Sequence, residues 1–202
     1  MNKDTGSSNT TLNVKDGTTV ISDSAIINKS EITKIIMPPT LKKIGNSAIC
    51  GCSNLISVEL NEGLEDIGNN AFSACSSLTS ITLPSTLKYI RYRAFYNCRN
   101  IEFGNLVITE GVKKIGSYSF YYYYLGIKSL KTPTTLFMIA QNAFNNCYNL
   151  ENVKLGEGLR IITEYQTPDN VLESPHSYYN YMKENYTKRI DGAMMLKLIR
   201  KE

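Results

Sequence analysis

LEDIGNNAFSACSSLTSITLPST fills residues 64–86, and the segment before it, LKKIGNSAICGCSNLISVELNEG at 41–63, has the same length and the same apolar positions. LFMIAQNAFNNCYNLENVKLGEG at 136–158 repeats them again. The shared frame is L-x-x-I-G-x-x-A-F-x-x-C-x-x-L-x-x-V-x-L-x-x-G, 23 residues long. Residues 87–111 keep it with two extra residues after Ile101, and residues 112–135 with one extra residue before Ile127. Upstream, residues 18–40 place Ile21, Ala25, Ile26, Ile32, Ile35 and Met37 on the same positions, and Leu12 and Val14 fall where a preceding strand belongs. Self-similarity at a fixed period of this size is the signature of a stacked repeat array.

Within one period, Leu78-x-x-Ile81-x-Leu83 ends in the apolar/polar alternation of a short half-buried strand, which Pro84 stops. Leu64-x-x-Ile67 forms a second apolar pair, and Gly68 bends the chain away from it. Ala71, Phe72 and Cys75 then bring a small residue, a large ring and a compact thiol to the interior. A unit this short cannot bury its own apolar face, so it is stable only between neighbours. The expectation is an α/β-type repeat solenoid over residues 12–162, with short parallel sheets and about six turns, its strands stacked roughly 4.8 Å apart. Residues 1–11 read as a flexible leading segment. Beyond Ile162 the frame is lost, and residues 163–202 read as a turn-rich linker and a helical cap. Ser174-Pro175 opens its first helix, striped by Tyr178, Met182 and Tyr186, and Asp191 opens its second.

The run I-G-x-x-A-F-x-x-C-x-x-L-x-x-I-x-L-P, nearly intact from Ile67 to Pro84, resembles the BspA-like leucine-rich repeats of bacterial and protist surface proteins. The resemblance covers residues 12–162 and implies a right-handed solenoid with a parallel sheet on one face. It also implies a secreted or cell-surface protein that binds a protein partner, such as an extracellular-matrix or cell-surface protein. At Tyr123 the chain departs from the pattern, with a tyrosine in place of the frame cysteine.

Composition narrows the function classes. The 202 residues carry 22 basic and 18 acidic groups for a net charge of +4, with no run of five like charges. A dedicated nucleic-acid binder, which gains affinity by displacing counterions with a basic stripe, is therefore not expected. No window approaches the 18 apolar residues a membrane span needs. Cys52, Cys75, Cys98 and Cys147 share one frame position and read as an interior thiol ladder, while Cys50-Gly51-Cys52 lacks the spacing of a metal knuckle. His176 is the one imidazole, a thin basis for a cysteine-dependent enzyme, and Gly156-Glu157-Gly158 lacks the third glycine of a dinucleotide fingerprint. No catalytic residue, metal or cofactor is expected, and the rival to a binding module is a structural spacer displaying another domain.

Two surfaces remain as binding candidates. Tyr118 and Tyr121 to Tyr124 crowd one repeat; Phe120 takes the buried ring position and Tyr123 the thiol position, leaving Tyr121, Tyr122 and Tyr124 outward. Exposed tyrosines give large contact area at low entropy cost. The outer sheet face offers the second surface. One lane reads Lys34, Ser57, Ser80, Asn105, Ser129, Asn152, and the next reads Ile36, Glu59, Thr82, Val107, Lys131, Lys154. A face of small polar groups suits an extended partner laid across several turns.

Overall fold

Apolar positions that alternate for only two or three steps give strands no longer than five residues. A computed structural model describes residues 10–101, 104–121, 126–145, 147 and 149–162. The first seven strands are β1 (Thr10–Asn13), β2 (Val20–Ile21), β3 (Ile32–Ile36), β4 (Lys43–Ile44), β5 (Ser57–Glu59), β6 (Asp66–Ile67) and β7 (Ser80–Ile81). They are followed by β8 (Tyr89–Ile90), β9 (Gly104–Val107), β10 (Lys114–Ile115), β11 (Ile127–Lys131), β12 (Met138–Ile139), β13 (Asn152–Lys154) and β14 (Ile161–Ile162). Odd and even strands lie on different sides of a parallel β-solenoid of about six turns. The even strands form one seven-stranded sheet in sequence order. The odd side is split into β1-β3-β5-β7 and β9-β11-β13. The split falls between β7 and β9, the part of the sequence where two extra residues follow Ile101, while the even sheet continues through β8 and β10.

Register shows how the repeat makes a core. Along the even sheet, Ile21, Ile44, Ile67, Ile90, Ile115, Ile139 and Ile162 stand in one column. On the odd side Ile35, Val58 and Ile81 form one column, and Leu106, Leu130 and Val153 another. Between them Phe72, Phe95, Phe120 and Phe144 stack with ring centroids 5.3, 5.5 and 5.2 Å apart, nearly parallel, and all four are fully buried. Each ring is covered by the rings of neighbouring turns, which is how short units obtain an interior that none has alone.

The arc joining even to odd strands is not helical, and no helix occurs among the described residues. The α/β part of the expected fold class is corrected accordingly, while the expected helical cap lies outside the described residues. Two positions per arc exclude a helix by adopting positive φ. Ser24, Ser47, Asn70, Arg93, Tyr118 and Asn142 occupy the first at 51–57°, and Asn28, Gly51, Ala74 and Asn97 occupy the second at 56–73°. Left-handed residues break the internal i→i−4 pattern and turn N–H groups toward the next coil. In the arc at Asn70, the N–H groups of Asn70, Phe72 and Ala74 donate to the carbonyls of Tyr92, Ala94 and Tyr96 at 2.8 Å each. The arcs thus stack as a third ladder.

The thiols extend this ladder inward. Cys52, Cys75, Cys98 and Cys147 are buried thiols. Their Sγ–H groups donate to the carbonyls of Ile26, Ile49, Phe72 and Phe120 in preceding turns, at 2.9 to 3.2 Å. The sulfurs are thus bonded to the backbone of preceding turns rather than to one another. The adjoining small position is less well served in one repeat. Ser119 stands in the lane of Ala71, Ala94 and Ala143, fully buried, and its hydroxyl has no hydrogen-bond partner. Removing an unsatisfied buried hydroxyl relieves its desolvation cost, so Ser119→Ala is expected to stabilise the protein by about 1 kcal/mol in urea unfolding.

The turns that return from odd to even strands carry a pattern of twice the basic period. Lys15-Asp16-Gly17, Asn61-Glu62-Gly63, Thr109-Glu110-Gly111 and Gly156-Glu157-Gly158 alternate with Pro38-Pro39-Thr40, Pro84-Ser85-Thr86 and Pro133-Thr134-Thr135. The two kinds of turn are complementary. The Thr86 hydroxyl accepts the Gly63 N–H at 2.8 Å and donates to the Leu64 carbonyl at 2.9 Å. Thr135 does the same with Gly111 and Val112, at 3.0 and 3.1 Å. The Glu62 carboxylate meanwhile accepts from the Ser85 N–H and hydroxyl at 3.0 and 2.9 Å.

Those bonds from Ser85 hold the Glu62 carboxyl below its usual range, and a hydrogen bond and charge from Lys88 do so for Glu65. A carboxylate whose pKa is lowered by folding adds stability that is complete above its unfolded-state value, about 4.3, and fades as pH falls through the lower folded value. The stability advantage of the wild type over Glu62→Gln is therefore expected to shrink on acidification from about pH 5 to about pH 3. Urea midpoints of both proteins across that range measure it.

Candidate protein-binding surfaces

Within each odd-side sheet the lane residues stand in register, except Thr82, which lies beyond β7. Lys34 pairs with Ser57 and Ser57 with Ser80, while Ser129 stands between Asn105 and Asn152. Ile36 faces Glu59, and Lys131 stands between Val107 and Lys154. Ser80, Thr82, Glu59, Asn105, Val107, Lys131, Asn152 and Lys154 are exposed, whereas Lys34, Ser57 and Ser129 are half-buried. Some of these groups are partnered within the face: Lys34 Nζ meets Glu59 at 2.5 Å, and Ser129 Oγ donates to Asn105 at 2.8 Å. The sheet break separates Ser80 and Thr82 from Asn105 and Val107, so the lanes make two patches rather than one continuous strip. Ile56 and Val107, 46% and 53% exposed, give each patch an apolar spot.

Of the tyrosine candidates, Tyr121 lies elsewhere, on the arc between even and odd strands. Tyr121 is half-buried rather than fully outward, because its ring stacks on Tyr96 at 5.3 Å and packs edge-on against Tyr118 at 5.3 Å. Tyr122 and Tyr124 lie outside the described residues, as does His176. The arc adds residues the sequence reading passed over. Tyr92 meets Tyr118 edge-on at 6.1 Å, and the Arg93 guanidinium carbon sits 4.9, 4.8 and 5.5 Å from the rings of Tyr92, Tyr96 and Tyr118. The signal was present in RYRAFY at 91–96, once it is placed 25 residues before the frame of 116–121.

Neighbouring arcs show how local this cluster is. In earlier turns a polar ladder occupies the corresponding edge: Asn46 N–H donates to Asp23, Asn69 N–H to Asn46 and Tyr92 N–H to Asn69, at 2.7, 2.9 and 3.2 Å. Asn69, Asn70 and Ser73 of one turn become Tyr92, Arg93 and Tyr96 in the next, then Ser117, Tyr118 and Tyr121, then Gln141, Asn142 and Asn145. Aromatic residues thus replace small polar ones over two central turns.

The thiols have the environment of structural groups. Burial pushes the Cys50, Cys52 and Cys75 thiols up, which opposes formation of the nucleophilic thiolate. In native protein treated with a maleimide, half-buried Cys50 is expected to react first and Cys75 only on unfolding, as mass spectrometry of the labelled peptides will show. Among the described residues no three His, Cys, Asp or Glu side chains converge as a metal site.

A model of the BspA-type leucine-rich-repeat region matches residues 5–125 and 113–173 in six copies. The chain belongs to the BspA-type leucine-rich-repeat family. Among solved structures, a T. pallidum leucine-rich-repeat protein superposes with a TM-score of 0.65 at 24% identity, covering 90% of this BspA-type chain and 86% of its own. A leucine-rich cell surface protein from Faecalibacterium prausnitzii A2-165 gives 0.61 at 22% identity, covering 79% of this chain and 50% of its own. A leucine-rich-repeat protein from Bacteroides ovatus ATCC 8483 gives 0.56 at 26% identity, covering 75% and 47%. The BspA-type chain thus spans about half the length of the last two. Among curated proteins none matches it. No helix among its described residues is long and apolar enough to cross a membrane.

Proposed function

We propose that this BspA-type chain is a non-enzymatic protein-binding or adhesion module of a secreted or cell-surface protein, with an extracellular-matrix or cell-surface protein as partner. The observation that carries the proposal is the tyrosine-arginine cluster, because other turns stack with Asn69, Asn70 and Ser73 or Gln141, Asn142 and Asn145 at these positions, so the coil itself does not require the rings. Tyr and Arg are the side chains most enriched where interfaces concentrate their energy. The sheet patches around Ser57, Glu59 and Ser80, and around Lys131, Asn152 and Lys154, provide a second contact area on another side of the coil. Kinship with bacterial leucine-rich-repeat proteins, one described as a cell surface protein, supports the location.

The test is capture of purified matrix and cell-surface proteins by the immobilised chain. A variant with Tyr121, Tyr122 and Tyr124 all changed to Ser is expected to lose capture, and one with Lys131→Ala and Lys154→Ala to weaken it. Undiminished capture by the tyrosine variant removes the cluster from the interface. Failure of the wild type to retain any protein of the panel favours a spacer that displays another domain.

A further inference from the structure

Arg93 departs furthest from what folding alone asks of its position. Ser24, Ser47, Asn70 and Asn142 fill that place in other turns, whereas Arg93 and Tyr118 hold φ of +52° and +57°. Small polar residues visit the left-handed region readily, and larger ones are held there by their surroundings, commonly at functional sites. The Arg93 Nε is buried without a hydrogen-bond partner, and no described carboxylate pairs with its guanidinium. Nearby cations on the same turn do have acids: Arg91 grips both oxygens of Asp66 at 2.7 and 2.9 Å, and Lys88 holds Glu65 at 2.7 Å. A planar cation with five donors is thus fixed among three tyrosine rings with no anion among the described residues. Ring faces displace water from it, and charge-assisted hydrogen bonds strengthen where water is scarce.

We propose that this cluster is a carboxylate-binding site: Arg93 receives an Asp or Glu side chain from an acidic segment of a protein partner, while apolar residues flanking that side chain lie against Tyr92, Tyr96, Tyr118 and Tyr121. A carboxylate matches the guanidinium fork. A sulfated or phosphorylated polymer fits less well, because such polymers are read by rows of free cations, and Arg91 and Lys88 are already engaged. The site deepens the tyrosine half of the protein-binding proposal and rests on it.

The probe is the N-acetylated peptide Leu-Glu-Leu-Glu, with Leu-Gln-Leu-Gln as control, titrated into the full chain while the Arg93 Nε–Hε resonance is followed by NMR. A saturable shift is expected with the Glu peptide alone, about tenfold weaker for Arg93→Lys, which keeps the charge but not the fork, and absent for Arg93→Asn. Because Asn suits the left-handed backbone, the Tm of Arg93→Asn is expected to equal or exceed that of the wild type. No saturable shift in the wild type, an equal response to the Gln peptide, or undiminished Glu-peptide binding by Arg93→Asn each overturns the site. Tighter binding of a heparin oligosaccharide than of the Glu peptide overturns it as well. Matrix-protein capture that survives Arg93→Asn but not the tyrosine triple variant removes the carboxylate site alone and leaves the binding module standing.

Discussion

Phe95→Ala is expected to lower the unfolding free energy by about 3–5 kcal/mol, measured by urea unfolding followed by circular dichroism. The ring lies 5.3 Å from Phe72 and 5.5 Å from Phe120 and is fully buried, so its removal leaves a cavity that two turns share. Neither neighbour can collapse into the space without breaking the N–H ladder of the arc, in which Phe72 donates to Ala94 and Phe95 donates to Ser119. Repeat arrays unfold as units coupled through nearest-neighbour interfaces. A cavity at a central interface therefore weakens coupling between the two halves, and a broadened or two-step transition is expected to accompany the loss. Phe144→Ala, whose ring stacks on Phe120 near the end of the column, should cost less and leave the transition sharper.

Gly63→Thr is expected to cost about 3 kcal/mol in the same measurement. Gly63 holds φ of +108°, a conformation closed to residues with a Cβ, and an added Cβ would stand 3.2 Å from the Pro39 carbonyl oxygen. The N–H that the Thr86 hydroxyl accepts survives in the variant, but relief of the strained φ moves it, and the added hydroxyl stands between turns that already present Thr40 and Thr86. Three threonines in succession break the complementarity between Glu-Gly and Pro-x-Thr turns. Thr86→Gly, which removes the bridge from the opposite partner, should also destabilise, by about 1–3 kcal/mol, without imposing backbone strain. If Gly63→Thr proves neutral, the alternation has no energetic meaning.

The columns were legible because each of their members repeats a residue type at a fixed distance. Ile44, Ile67 and Ile90, or Phe72, Phe95 and Phe144, align by counting alone. The same counting obscured the alternating turns, since a consensus drawn over one period averages Gly63 with Thr86 and treats the difference as noise. The α part of the expected α/β class has no counterpart in the arcs for a local reason: Ser47, Asn70 and Asn142 precede the frame alanine with the left-handed backbone that a helix forbids. The sheet break was less readable. Two extra residues after Ile101 are visible in the sequence, but whether an insertion bulges outward or parts two strands depends on the geometry of both edges. Tyr92, Arg93 and Tyr96 are sparse in the sequence beside the dense tyrosines of 118–124, and only stacking of the turns brings them together. Contacts in a solenoid run across turns, between residues about two dozen positions apart.

The most direct test of the stacked-coil account is a nuclear Overhauser experiment on protein labelled at phenylalanine. Ring-to-ring cross-peaks are predicted between Phe72 and Phe95, Phe95 and Phe120, and Phe120 and Phe144, and none between Phe72 and Phe144. A Phe72–Phe144 cross-peak, or absence of the three sequential ones in folded protein, would contradict it.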